Sequence, residues 1–253
     1  MLELVNISKK LDGKDILRDV SLRVREGETL VIVGASGAGK SVTLQHIAGL
    51  MTPDDGDVRI DGVALGQARG RQLEQLRNKL GMLFQSGALI NWMSVFDNVA
   101  LPLIEKTDLS PEEIAETVTE KLRIVGLEDA GAKMPGEISG GMRKRAGLAR
   151  AIVRNPAIVL YDEPTSGLDP VMSRTIDRLI VDLQRSLTIT SVVVTHDLLS
   201  AFSVASSIAM LHEGRIAEWA PPEDFRRSRN PVVREFVEAQ METATIGEDT
   251  DEQ

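Results

Sequence analysis

Several features are scarce in this chain, and each scarcity excludes a class of structure. None of the 253 residues is cysteine, so disulfides and thiolate metal sites are excluded, as suits a reducing compartment. No apolar run approaches the ~20 residues that a helix needs to span a bilayer. The opening Met1-Leu2-Glu3-Leu4 has neither the basic segment nor the cleavage site of a signal peptide, so we expect none. If the protein acts at a membrane, we expect another chain to supply the membrane part.

Basic character is also low, because the net charge is −9. This balance argues against nucleic acid as the main partner. Two local basic clusters exist, Arg143-Lys144-Arg145 and Arg226-Arg227-Ser228-Arg229. We expect both to be solvated helix faces or contacts with another protein. The length fits one α/β domain with a subdomain.

The order of strand and helix patterns predicts how that domain is organised. Leu2–Ser8 and Asp19–Arg25 alternate as strands around a turn at Asp12-Gly13-Lys14. The short apolar runs typical of buried parallel strands are Thr29–Val33, Gly81–Gln85, Ala157–Tyr161 and Ile189–Thr195, and Met210–Ile216 reads as a closing hairpin. The helical patterns between them are Ser94–Ile104, Ser110–Val125 and Gly140–Arg154. We therefore expect one domain over residues 1–240, a helical insertion over residues 94–155, and an acidic disordered tail over residues 241–253.

A phosphate-binding loop follows the Thr29–Val33 strand. The eight residues from Gly34 to Ser41 fit G-x-x-x-x-G-K-[ST], and they are Gly34, Ala35, Ser36, Gly37, Ala38, Gly39, Lys40 and Ser41. Glycines let backbone N–H groups turn inward, and the start of the following helix adds partial positive charge. Lys40 is expected to reach the β- and γ-phosphates, and the Ser41 hydroxyl to bind Mg²⁺.

Two further stretches carry phosphate chemistry. Asp162 and Glu163 end an apolar strand and precede Pro164, so we expect Asp162 beside Mg²⁺ and Glu163 to polarise the attacking water. Ser139-Gly140-Gly141 offers a hydroxyl, two unhindered N–H groups and a helix start. One nucleotide needs only one such cradle, so this is a second anion site.

This ordered set of motifs resembles that of ATP-binding cassette (ABC) ATPases over roughly residues 2–218. The resemblance implies the P-loop NTPase ABC ATPase fold, of α/β class, with an N-terminal antiparallel β subdomain and a helical insertion subdomain. It implies that Gln85 contacts Mg²⁺ and the attacking water, and that His196 senses the γ-phosphate. Val42 stands where many members of the family have a hydroxyl on the α-phosphate. The activity implied is hydrolysis of ATP with Mg²⁺.

In this family the Ser-Gly-Gly turn closes over the nucleotide of a partner domain. Since this chain holds one complete set, the resemblance implies a homodimer with two shared sites. The loop from Ser166 to Asp169 would cross between the subunits, with Asp169 at the nucleotide. The family usually has an adenine-stacking aromatic in the segment Lys9–Gly13, which has none here. We expect Leu11 or a lysine side chain to substitute, or the base to be held loosely.

Four segments are similar to the ATPase of Mla-type (MCE) phospholipid transporters, namely Phe84–Leu89, Met93–Leu103, Ser139–Ile152 and Tyr161–Met172, whereas Ile90-Asn91-Trp92 departs from the residues usual in that group. Met142 supports this group, because amino-acid and sugar importers commonly have Gln there. The resemblance implies an ATPase on the cytoplasmic face of the inner membrane that serves outer-membrane lipid asymmetry. Its implied partners are an integral-membrane permease and an MCE-domain lipid-binding protein, and a small regulatory subunit stays open.

Two alternatives remain at this point. One is the ATPase of an amino-acid or other small-solute importer, which shares the nucleotide chemistry. The other is a P-loop kinase or switch GTPase, in which the Ser-Gly-Gly turn and the Asp-Glu-Pro run have no role. An assay of nucleotide turnover without an acceptor separates a hydrolase from a kinase.

Overall fold

A computed structural model describes the backbone of residues 1–248 and the side chains of residues 1–241. The strands are β1 Leu2–Leu11, β2 Lys14–Val24, β3 Thr29–Val33, β4 Asp55–Ile60, β5 Val63–Ala64, β6 Leu80–Leu83, β7 Ile158–Asp162, β8 Thr190–Val194, β9 Ser207–His212 and β10 Arg215–Ala220. The helices are α1 Lys40–Ile47, α2 Gly70–Asn78, α3 Val95–Lys106, α4 Pro111–Ile124, α5 Gly140–Ile152, α6 Pro170–Leu187, α7 Leu198–Val204, α8 Pro222–Arg226 and α9 Pro231–Glu248. No helix of this described part is long and apolar enough to cross a membrane.

The chain divides into two compact units, Met1–Gly66 with Val194–Gln253, and Gln67–Val193. The predicted helical segment at residues 94–155 lies inside the second unit. Its three predicted helices are confirmed as α3, α4 and α5. A further helix that the sequence analysis did not identify, α2, precedes them.

In the first unit an antiparallel sheet has the strand order β2-β1-β4-β5. The predicted hairpin is confirmed, since Leu2 pairs with Val24 and Leu11 pairs with Lys14 across the turn. Val33 at the end of β3 pairs in parallel with Met210 of β9, and β10 returns antiparallel to β9. Every residue of β3 is buried, which explains why its sequence is a continuous apolar run rather than an alternating one.

In the second unit β6 and β7 pair in parallel, with Leu80 opposite Ile158 and Leu83 opposite Tyr161. The strand β6 ends at Leu83, so Phe84 and Gln85 lie beyond its end rather than in the predicted strand. Parallel strands deliver their carboxyl ends to one edge of a sheet. Asp162, the last residue of β7, and Gln85, two residues after β6, therefore lie at neighbouring strand ends.

The loop before α3 is held by the fully buried Asn98. Its Oδ1 accepts the backbone N–H of Ile90 at 2.7 Å, and its Nδ2 donates to the carbonyls of Ile90 and Met93 at 3.0 and 3.1 Å. Trp92, between these anchored residues, leaves 82% of its surface exposed. Because the buried amide of Asn98 fixes the loop, the exposure of Trp92 results from a defined loop conformation.

The predicted disordered tail at residues 241–253 needs correction, because α9 continues to Glu248. A helix already nucleated at Pro231 gains one hydrogen bond for each residue added, so an acidic segment with Met, Glu and Ala can follow it. Residues 249–253 lie outside the described part of the chain.

The expectation for the basic cluster Arg143-Lys144-Arg145 is wrong. Lys144 is only 5% exposed, and its Nζ donates to the backbone carbonyls of Glu163 at 3.1 Å and Ser166 at 2.5 Å. Arg145 donates to the carbonyls of Val125 and Gly126 at 3.1 and 2.7 Å. Both side chains donate to backbone carbonyls of the same unit. They do so because the apolar face of α5 packs inward and brings them close to those carbonyls. The second cluster does have exposed arginines, as expected.

Burial lowers the pKa of Lys144 from 10.5 to about 8, and the nearby Glu163 only partly offsets this effect. The unfolded chain therefore binds more protons than the folded one between these two values. Stability should rise with pH through that window, because the penalty of a buried charge disappears as Lys144 loses its proton.

We predict that the free energy of unfolding of the wild type, relative to Lys144→Met, increases between about pH 7.5 and about pH 9.5. Urea unfolding of both proteins at the two pH values measures this difference. Lys133→Met, which removes an exposed lysine, should show no such change relative to wild type. A difference independent of pH for Lys144→Met would contradict the assignment.

Candidate nucleotide-binding site

The predicted phosphate loop lies in the first unit, between the buried strand β3 and the first residue of α1, Lys40. Gly34, Gly37 and Gly39 have φ of 153°, 81° and 105°, a region that glycine adopts without strain. A Cβ at Gly34 would lie 2.3 Å from the carbonyl oxygen of Leu211. The neighbouring strand therefore requires glycine at the loop entrance.

Lys40 is 8% exposed, and its Nζ donates to the loop carbonyls of Gly34 at 2.8 Å and Ala35 at 3.1 Å. Beside it Ser41 is exposed, and so are Ser36 and Gly37. The first N–H groups of a helix have no partner within the helix. The loop thus combines an ammonium, a helix start and an exposed hydroxyl, a donor set that fits a polyphosphate with a bound Mg²⁺.

Val42 is half-buried, and the next hydroxyl along the helix does not replace the one that it lacks. Thr43 Oγ1 donates to the carbonyl of Gly39 at 3.0 Å and is buried. This hydroxyl is used inside α1. The expectation that one α-phosphate contact is missing stays a prediction.

His196 also belongs to the first unit and has an exposed side chain. The preceding Thr195 donates its backbone N–H to the carbonyl of Ile32 in β3 at 3.1 Å. The loop that carries His196 therefore starts beside the strand that feeds the phosphate loop. Within the first unit, the histidine and the loop lie at the same strand ends.

A depression of about 370 Å³ lies beside Gly37 and Ala38 of the phosphate loop. Its other lining residues are Asp15, Ile16, Arg18, Glu213 and Gly214. Ile16 is the largest apolar side chain in this lining, and Leu11 is not part of it. The expectation that Leu11 or a lysine substitutes for the usual aromatic, or that the base is held loosely, stays a prediction.

In the second unit, Asp162 ends β7 and Glu163 follows with φ of 47°. The left-handed region is uncommon for a residue other than glycine, and such residues occur at functional sites when surrounding contacts hold them. Here Ser166 donates its N–H to the Glu163 carbonyl at 3.2 Å, and Lys144 donates to the same oxygen. The turn that carries Glu163 is thus fixed from two sides.

Gln85 joins this turn, since its Nε2 donates to Ser166 Oγ at 3.1 Å. The structure therefore brings Gln85, Glu163 and Lys144 to one turn. Lys144 was not among the site residues predicted from the sequence. Its spacing from Gly147 and Leu148, both on the buried face of α5, is the periodic signal that would have identified it.

The second predicted anion site begins α5. Ser139 is exposed, and its Oγ accepts the N–H of Met142 at 3.2 Å as an N-cap. A Cβ at Gly141 would lie 2.7 Å from Cε of Met172, so the start of α5 packs closely on α6. Gly141 is buried in this contact, whereas a Cβ at Gly140 would meet its neighbours only at ordinary contact distances of 3.8 and 3.9 Å.

Asp169 begins α6 in the same way, and its Oδ1 accepts the N–H groups of Val171 and Met172 at 3.0 and 2.9 Å. Its side chain is exposed. The candidate residues thus form two groups. The first unit holds the residues from Gly34 to Val42 together with His196, and the second holds Gln85, Ser139, Gly140, Gly141, Asp162, Glu163 and Asp169.

Known proteins match this arrangement. The model of the ABC transporter family matches residues 17–166. The chain is 42% identical over 236 residues to the probable ribonucleotide transport ATP-binding protein mkl of Mycobacterium leprae, covering 93% of this chain and 68% of that protein. The Mycobacterium tuberculosis protein of the same name is covered to 66%. The chain therefore spans about two thirds of the length of these relatives.

Two other transport ATPases are similar over most of this chain. The intermembrane phospholipid transport system ATP-binding protein MlaF of Haemophilus influenzae is 37% identical, over 96% of this chain and 92% of its own length. The methionine import ATP-binding protein MetN of Carboxydothermus hydrogenoformans is 39% identical, over 94% of this chain and 71% of its own length.

A solved structure confirms the predicted fold class. The ATP-binding cassette MJ0796, in a dimeric post-hydrolysis state with ADP and Pi, superposes with a TM-score of 0.81 at 34% identity, over 88% of this chain and 99% of its own. The family match covers more than half of the chain, and the structural match covers nearly all of a hydrolytic cassette. The chain therefore belongs to the ABC transporter family and is an ATPase with the fold of that family.

Proposed function

We propose that this chain is the ATP-hydrolysing subunit of a membrane transporter that moves glycerophospholipid. The observation that carries the proposal is that one chain holds two separate helix starts suited to phosphate, at Lys40 and at Ser139. It would act as a homodimer on the cytoplasmic face of the inner membrane, bound to an integral-membrane permease and an MCE-domain lipid-binding protein.

Nucleotide binding rests on the phosphate loop. Lys40 would donate to the β- and γ-phosphates in place of the carbonyls of Gly34 and Ala35. The candidate Mg²⁺ ligands are Ser41 in the first unit and Gln85 and Asp162 in the second, since each carries an oxygen of the type that this ion prefers. When bound, the ion supplies neutralisation of the phosphate charge.

Hydrolysis rests on Glu163 and His196. The turn holds the backbone from which the Glu163 carboxylate extends, and this would help it to orient water as a general base. His196 would donate to the γ-phosphate as charge develops on it. Both side chains are reachable from solvent, since His196 is exposed and Glu163 is half-buried.

The homodimer follows from the second helix start. Ser139 is exposed at a helix N-terminus, and the cap bond to Met142 leaves its hydroxyl hydrogen available to donate. A second anion site that serves the partner's γ-phosphate would be completed only in a dimer. MJ0796 is dimeric in its solved structure with ADP and Pi, which supports a dimer of this chain.

The permease would dock on the second unit. A groove of about 500 Å³ is lined there by Met82, Phe84, Leu101, Pro102, Arg150 and Arg154, among others. The fixed, exposed Trp92 belongs to the same stretch of chain between Gln85 and α3. Apolar walls with guanidinium groups suit a short cytoplasmic helix that carries apolar and acidic side chains. The groove and Trp92 lie close to Gln85 along the chain. A movement of Gln85 when nucleotide binds would therefore be transmitted to the membrane subunit.

The lipid assignment is supported by Met142 and by the match to MlaF over 92% of that relative's length. The second candidate is import of an amino acid or another small solute, which the 39% identity to MetN favours. Both candidates share the nucleotide chemistry. The molecules that co-purify with the chain decide between them.

Replacing Glu163 with Gln should keep ATP binding and lower turnover by at least ~100-fold, because a positioned general base contributes about that factor. ATP should then trap a stable dimer, measured by size-exclusion chromatography with and without nucleotide. Glu116→Gln, at an exposed carboxylate of α4, should keep the wild-type rate. Full turnover by Glu163→Gln would remove this residue from its assigned role.

Lys40→Ala and Ser139→Arg chains should complement each other when mixed. In the mixed dimer one site loses both elements and the other keeps both. Equal mixing should restore about a quarter of the wild-type rate, because half of the dimers are mixed and each has one intact site. Each variant mixed with itself is the control. If monomeric Ser139→Arg has lost its affinity for ATP, the shared-site arrangement is wrong.

Trp92→Ala should leave the isolated chain folded, judged by thermal melting, and should weaken its co-purification with the permease and the MCE-domain protein. Leu50→Ala, at an exposed apolar residue of the first unit, is the matched control and should bind normally. Phospholipid in the wild-type complex would support lipid transport. A complex whose ATPase responds only to a soluble amino-acid-binding protein would establish the second candidate instead.

A further inference from the structure

The backbone that carries His196 is held on both sides within the first unit. On one side, Thr195 Oγ1 accepts the N–H of Asp197 at 3.0 Å. On the other, Asp197 Oδ1 accepts the N–H groups of Leu199 and Ser200 at 2.9 and 3.2 Å, so that Asp197 caps α7. Two more backbone groups lie on either side of Asp197, the carbonyl of His196 and the N–H of Leu198.

The side-chain amide of Gln240, which is 44 residues after His196, forms hydrogen bonds with both groups. Its Nε2 donates to the His196 carbonyl at 2.5 Å, and its Oε1 accepts the Leu198 N–H at 3.0 Å. A primary amide is the side chain that can donate and accept at once in this way. A two-point bond of this kind fixes both the position and the orientation of the peptide segment between the two groups.

Gln240 is itself fixed by the packing of α9. Val233 and Val237 are buried, and the spacing of 233, 237 and 240 places all three residues on one face of the helix. The start of α9 is tied down by Asn230, whose Oδ1 accepts the N–H of Val232 and whose Nδ2 donates to the carbonyl of Ala217 in β10. The amide is therefore presented by a docked helix and not by a loose end of chain.

We propose that Gln240 is a positioning residue for His196, so that docking of α9 controls the rate of ATP hydrolysis. This inference rests on the proposed function, in which His196 donates to the γ-phosphate. The direction of a side chain follows from the backbone that carries it. Loss of the amide therefore frees the His196 peptide without altering the phosphate loop.

The distinguishing measurement is the split between kcat and KM in the full chain. Gln240→Met keeps the length of the side chain and removes both hydrogen bonds. We expect kcat to fall about tenfold, the scale set by the net loss of one to two hydrogen bonds. The KM for ATP should stay within about twofold, because a residue that acts only on the transition state lowers kcat alone.

Two further variants make the test specific. Gln240→Glu keeps the acceptor for Leu198 but cannot donate to the His196 carbonyl, so kcat should fall as in Gln240→Met. If Gln240→Met does not fold, Gln240→Glu alone tests the positioning role of Gln240. Glu235→Gln, at an exposed residue of the same helix, should behave as wild type.

Melting temperatures separate positioning from simple anchoring of the helix. A lower melting temperature with unchanged kcat would overturn the inference, as would a fall in kcat matched by an equal rise in KM, or no change in any of these. If wild type does not hydrolyse ATP faster than Lys40→Ala, the proposed function fails. If wild type is active and Gln240→Met equals it, only this inference fails.

Discussion

The ammonium group of Lys144 is the contact on which the second unit's candidate chemistry depends. It lies in a nearly water-free position and binds the carbonyl oxygens of Glu163 and Ser166. A buried charge is tolerated only when polar groups surround it. Here the two carbonyl oxygens provide those polar groups for the ammonium. The same two bonds help to hold Glu163 in its left-handed backbone conformation. The turn also gives Ser166 the position at which Gln85 reaches its hydroxyl.

A second recurring feature is the way in which the first turn of each of several helices is capped. Ser139, Asp169 and Asp197 each cap a helix with a side-chain oxygen that accepts backbone N–H groups. The first residue of α1 has no such side chain before it, since Gly39 stands at the cap position. A glycine cap supplies no side-chain oxygen to the N–H groups of the first turn. The helix that would bind phosphate in its own chain is thus capped differently from these three.

The two units divide the proposed chemistry. The first holds the phosphate loop and His196, which the bond between Thr195 and Ile32 places at neighbouring strand ends. The second holds Glu163, Gln85 and the exposed Ser139. Within each unit the supporting contacts come from residues distant in the chain, such as Gln240 for His196. The strands and helices form the framework. Side-chain amide and ammonium groups then fix the conformation of the loops between them.

Strands, helices and phosphate motifs were predictable from the sequence because local rules decide them. The hairpin from Leu2 to Val24 follows from alternation around Asp12-Gly13. The buried strand Thr29–Val33 follows from its apolar run, and α4 from the capping box of Ser110 and Glu113. The phosphate loop was equally clear, since glycine spacing and one lysine define it. The extension of α9 to Glu248 was not, because helix propagation from Pro231 outweighed an acidic composition.

By itself the sequence determined the family, most of the strands, the three helices of the inserted segment and the candidate catalytic groups, all of which depend on short-range pattern. Only the tertiary structure decided which polar side chains support those groups. Lys144 reads as one charge in a basic run and Gln240 as a surface amide, yet each binds backbone about twenty or more residues away. Burial and long-range hydrogen bonds arise from packing of elements, and no local pattern in the chain encodes which carbonyl a given side chain will meet.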